Sequence, residues 1–96
     1  MNDFFEKLGQ EWVEAAERRG AKIAKPMLDS RIALELLELA RVAAHTQERR
    51  FAPLTSYLAG VAAERLRAAE PDLDDAAVAE FVLEVRKKLE RQVPGL

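Results

Sequence analysis

Ninety-six residues suffice for one small domain and are too few for a two-domain enzyme with an interdomain cleft. With no Cys, disulfides, thiolate nucleophiles, zinc–sulfur sites and iron–sulfur clusters are excluded, and a single His excludes a multi-histidine metal site within one chain. Fifteen basic against 17 acidic residues give a net charge of −2, too weak a field to draw the chain onto nucleic acid or an anionic membrane.

Apolar residues make up 49% and charged residues 33%, the balance of a globular chain. The opening Met1-Asn2-Asp3-Phe4-Phe5-Glu6 carries acids where a secretory signal needs cations. No window holds the ~18 uncharged apolar residues of a bilayer span. The expected location is cytoplasmic. Hydrophobic spacing is helical almost throughout, without strand-type alternation or an internal repeat. The expected fold is all-α: a single domain over residues 1–96, folded as a compact four-helix bundle or an orthogonal helical array.

The first helix is expected over about 3–19, with Asp3 as its cap and Phe4, Phe5, Leu8, Trp12, Ala15 and Ala16 on its core face. Arg18-Arg19-Gly20 closes it, because cations suit the negative helix end and Gly adopts the left-handed stop cheaply. A linker with Pro26 follows, and Ile23, Met27 and Leu28 are expected to pin it to the core.

The second helix is expected over about 29–45. Its apolar arc (Ile32, Ala33, Leu36, Leu37, Leu39, Ala40, Ala43, Ala44) spans more than half the cylinder, which predicts the most buried position. The third helix, about 53–69, begins at Pro53 and has Leu54, Tyr57, Leu58, Val61 and Ala62 as its core stripe. Pro71 ends it. The fourth, about 74–92, has Asp74 as cap, Leu73 and Val78 as a hydrophobic staple, and Val78, Phe81, Val82, Val85 and Leu89 as core stripe. Pro94-Gly95 is its expected stop. Val13, Leu34, Phe51 and Leu83 fall off these stripes, and a cluster among them would mark a partner surface.

Catalytic constellations are sparse. Glu14/Glu17 and Glu35/Glu38 are acid pairs at i, i+3, but no Glu stands three residues before His45, so the Glu-x-x-His of di-iron bundles is missing. Asp72, Asp74 and Asp75 sit where a helix start wants acids, which explains them without a cation. No metal and no cofactor is implied.

The segment 41–56 carries the most chemistry. Arg41 and His45 share a helical face, Arg49 continues that line if the helix extends, and Thr55 and Ser56 follow Pro53 at the next helix start. Cations beside free helix amides would suit a phosphate or carboxylate. Cations at a helix C-terminus are also stabilising on their own, by about 0.3–1 kcal/mol each. Arg65 falls within the third helix's expected stripe. It is either a buried charge paired with Glu80 or Glu84, or a side chain whose stem packs while its head reaches water. The connection before Pro53 is longer than a helix-turn-helix allows, so nucleic acid is not an expected partner.

Residues 33–63 hold Leu36-Leu37-Glu38-Leu39-Ala40-Arg41, then Ala44-His45, Arg49, and Ala52-Pro53-Leu54-Thr55-Ser56-Tyr57-Leu58-Ala59-Gly60. This stretch, about a third of the chain, resembles a small bacterial helical domain found alone or fused behind molybdenum cofactor guanylyltransferases. Arg41, His45, Arg49, Pro53, Thr55 and Gly60 match that pattern. The resemblance implies a role near molybdopterin cofactor maturation, without guanylyl transfer, which belongs to the fused enzyme.

The reading is thus a non-catalytic accessory domain with a protein partner or a homo-oligomeric state. A module binding a phosphate-bearing small ligand through Arg41, His45, Arg49, Thr55 and Ser56 is the alternative, and a small enzyme is the least favoured.

Overall fold

In the computed structural model, which describes residues 3–92, four helices appear in chain order: α1 (Asp3–Arg18), α2 (Ser30–Thr46), α3 (Phe51–Ala69) and α4 (Asp75–Gln92). No strand occurs among the described residues, so the all-α class holds. The expected stop at Pro94-Gly95 and the opening Met1-Asn2 lie outside the described residues. The chain falls into two compact units, one ending at Ser30 and one beginning at Arg31.

In the first unit, α1 ends as its sequence predicts. Gly20 takes φ +80°. Its amide donates to the Glu17 carbonyl at 2.9 Å, and that of Ala21 donates to the Ala16 carbonyl at 2.9 Å. These two bonds are the paired closure that a left-handed Gly permits. The following segment turns back along α1. Lys25 Nζ reaches Glu6 Oε2 at 2.7 Å, and the ammonium, as hydrogen-bond donor and as charge, holds the Glu6 carboxyl below its ordinary range. Gly9 is buried because the Pro26 carbonyl lies against it: a Cβ there would stand 2.6 Å from that oxygen. Asp3 lies inside the first turn and pairs with Lys7 at 3.2 Å, one turn on.

The apolar face of α1 is the first correction. Phe4 is 63% and Trp12 56% exposed, and Phe5 and Leu8 also face solvent. Ile23 and Met27 do not pin the linker, since both are exposed; Leu28 is half-buried.

In the second unit, the buried core is Leu39, Val42 and Ala43 from α2, Ala63 from α3, and Val78, Ala79 and Val82 from α4. It is aliphatic and small. α2 and α4 contribute equally, so α2 is not the single central helix its apolar arc predicts; Leu34 and Leu37 stay exposed on it. α4 is capped as expected: Asp74 Oδ1 accepts from the Ala77 amide at 2.9 Å, satisfying one of the free donors of the first turn.

α3 and α4 make the close helix pairing of this unit. α2 is tied to α4 by charge. Arg86 Nε donates to Glu35 Oε1 at 3.0 Å and Arg86 Nη1 to Glu90 Oε1 at 2.8 Å, with the Arg86 side chain only 15% exposed. These bonds raise the Arg86 pKa, the one from Glu90 most, against the opposing effect of burial.

α3 packs with the opposite face to the one its large residues mark. Ala52, Ser56, Ala59 and Ala63 are buried or half-buried, whereas Leu54, Tyr57 and Leu58 are exposed. On a helix of 3.6 residues per turn these two sets lie on opposite sides. Small side chains let the backbones approach closely, and α3 uses that side.

Candidate functional site

The exposed side of α3 and its border with α4 form the most distinctive surface of the second unit. Tyr57 is 73% and Leu58 66% exposed, exposed Leu54 precedes them, and half-buried Val61 follows at helical spacing. Beside it, Leu39, Leu58, Phe81, Val82, Val85 and Leu89 line an apolar groove of about 260 Å³ between the helices. Leu58 and Val85 form its exposed rim, and Thr55 is among its polar lining. On the other flank, Tyr57, Gly60, Val61, Glu64, Arg65 and Ala68 border a shallow trough. Three-helix packing by small residues thus leaves a row of large apolar side chains uncovered.

The expected anion-site residues are distributed as follows. Arg41 and His45 are exposed on α2. Arg41 Nε donates to Glu38 Oε2 at 3.1 Å, and its guanidinium lies 3.8 Å from Glu90. α2 stops at Thr46, so Arg49 lies in the connecting turn and does not continue the line of Arg41 and His45. α3 starts at Phe51, two residues ahead of Pro53. The Phe51 and Ala52 amides donate to the Glu48 and Arg49 carbonyls at 3.0 and 3.2 Å, and Pro53 has no amide proton. Thr55 and Ser56 therefore stand a turn inside the helix, and the Ser56 hydroxyl donates to the Ala52 carbonyl at 3.2 Å. Arg65 is exposed on the trough, which corrects the buried-charge reading.

Several acids of the second unit are engaged by arginines. Besides Glu35, Glu38 and Glu90, Asp75 Oδ1 accepts from Arg67 Nη2 at 2.6 Å. Among the described residues, no group of three or more His, Cys, Asp or Glu is placed to hold a metal ion. No described helix is long and apolar enough to cross a membrane. Sequence reasoning missed Arg86, whose position directly before Lys87-Lys88 near the end of α4 looks like ordinary helix-end charge. Its spacing of four from Glu90 was the available signal.

A small helical unit with an aliphatic core and an uncovered apolar helix face is the class of protein that these features define. Residues 6–94 match the family DUF6457, described as a domain of unknown function. The chain belongs to that family. No curated protein and no solved structure matches it.

Proposed function

We propose that the chain is a non-catalytic interaction domain that binds a protein through the outer face of α3 and the adjoining groove. The observation that carries this reading is the inverted α3: its small side is buried, and Leu54, Tyr57 and Leu58 are left in water. Single chains seldom leave a contiguous apolar patch without a partner to cover it. The patch is apolar with one acid and one base at its end, which suits a protein rather than nucleic acid or a lipid surface. The pairing of Glu35, Glu38, Glu90 and Asp75 with arginines supports a structural use of these acids over general acid–base work.

The resemblance of residues 33–63 supports molybdenum cofactor maturation as the process served. In that reading the partner is an enzyme of the process, and this chain contributes contact and not chemistry. A second reading, a phosphate-bearing ligand at the α2–α3 turn, draws on the exposed His45 and Arg49 there. Glu38 and Glu90 at the Arg41 guanidinium weigh against it. The turn is tested by following the His45 ring in a phosphate titration; a flat response at millimolar phosphate removes that alternative.

The interaction reading is tested with a photo-crosslinking benzoylphenylalanine at position 57, expressed in cells at native level. It predicts a crosslinked protein adduct from position 57 and none from the exposed, charged position of Lys88. No adduct at position 57 overturns it.

A further inference from the structure

We infer that the first unit is an order–disorder element: α1 and the segment that returns along it open and close as one piece while the second unit stays folded. The inference is independent of the interaction reading, which concerns α3.

Burial is the first support. Among the described residues, all seven buried apolar ones lie between Leu39 and Val82, in the second unit. In the first unit Gly9 alone is buried, and it has no side chain to withdraw from water. Phe4, Phe5, Leu8 and Trp12 stay exposed on α1, and Ile23 and Met27 on the returning segment. Closing the unit therefore removes little apolar surface from water, and that removal is what ordinarily offsets the entropy lost on ordering a chain.

Local structure does not make up the difference. α1 has 16 residues, close to the ~12–15 below which an isolated helix is marginal in water even when rich in Ala. Gly9 inside it lowers that further. The unit spans 30 residues, and units below about 40 residues usually need a disulfide, a metal or association to hold a fold. The chain has no Cys, and among the described residues no group of acids and His is placed for a metal.

The third support is the closure itself. The Lys7–Asp3 and Lys25–Glu6 pairs both lie in water, where ion pairs contribute little. The remaining tie is the Pro26 carbonyl seated against Gly9. Lys25 and Pro26 are neighbours, so one movement of the returning segment breaks both ties to α1. The closed form is thus well defined in shape and weakly held, the property expected of an element that opens as a unit.

Amide hydrogen exchange of the full chain tests this. Amides within residues 8–16 of α1 should exchange about a hundredfold or more faster than those of Val42 and Val82 in the core, yet slower than in an unstructured chain. Limited trypsin digestion gives a second reading: the bond after Lys7, inside α1, should be cut about tenfold or more faster than the bond after Arg41, inside α2. Val82→Ala thins the core of the second unit. It should speed exchange at Val42 by about tenfold or more and leave the α1 rates within about twofold of the parent. The inference is overturned if α1 amides are as protected as the core, or if Val82→Ala speeds them by the same factor as the core. Rates in α1 equal to those of an unstructured chain overturn it too, because no closed form then exists. Should Val82→Ala leave the second unit unfolded, the parent chain's exchange and cleavage still decide.

Discussion

The same substitution, Gly→Ala, should act with opposite sign at two helical positions. In a helix interior Ala is favoured over Gly by about 1 kcal/mol, through backbone entropy. At Gly60 the new methyl meets nothing within 4 Å, so that gain should be expressed almost in full. At Gly9 the methyl would stand 2.6 Å from the Pro26 carbonyl oxygen and 3.1 Å from Lys25 Cγ. An ordinary carbon–oxygen contact is about 3.3 Å or more, so the returning segment must back away by roughly 0.7 Å. Both close atoms belong to the segment that also carries the Lys25–Glu6 pair at 2.7 Å, and moving it loosens that pair. Overpacking of this kind costs about 1–3 kcal/mol, which outweighs the propensity gain. The net expectation for Gly9→Ala is a loss of roughly 0–2 kcal/mol, against a gain of about 0.5–1 kcal/mol for Gly60→Ala. Amide hydrogen exchange separates them, because it reads α1 and α3 independently. It should be run at protein concentrations where the rates no longer depend on concentration. If Gly9→Ala slows exchange in α1 as much as Gly60→Ala slows it in α3, the close approach of Pro26 to α1 is wrong.

Arg86→Met should destabilise the second unit by about 1–3 kcal/mol in urea unfolding, because Glu35 and Glu90 lose their shared half-buried donor. Adding Glu35→Leu should return part of that loss, and a further drop would contradict the pairing. Asp74→Ala removes the acceptor for the Ala77 amide and should cost about 1 kcal/mol, read as faster exchange in the first turn of α4; Asp74→Ser should cost less. Glu6 has its folded pKa lowered by Lys25, so its contribution is complete above the ordinary carboxylate range and is lost as pH falls through the folded value. Protection of α1 amides should decline on acidification, and Lys25→Met should remove that pH dependence.

The ends of the helices were legible because local chemistry sets them. Gly20 supplies a positive φ, Pro71 cannot continue α3, and Asp74 offers an oxygen to free amides. The faces were less legible. Periodicity says which residues share a side of a helix, not which side finds a neighbour. α3 carries two candidate sides, one of Ala52, Ser56, Ala59 and Ala63 and one of Leu54, Tyr57, Leu58 and Val61. Hydrophobicity favours the second, but closeness of approach favours the first, and the fold uses the first. The start of α3 at Phe51 lies two residues ahead of Pro53 because Pro is tolerated throughout the first helical turn, where no amide needs an intrahelical acceptor. That shift moved Thr55 and Ser56 from a helix mouth to a helix interior. Gly9 gave no warning, since a mid-helix Gly reads as a mild defect until a carbonyl is found beside it.

The single Trp and the single Tyr of the chain fall in different units, Trp12 in the first and Tyr57 in the second. Each unit therefore carries its own intrinsic fluorophore. Excitation at the red edge selects the indole and follows α1, and tyrosine emission follows α3. Comparing their melting curves reads whether the two units unfold as one cooperative block or in separate steps, with no label attached.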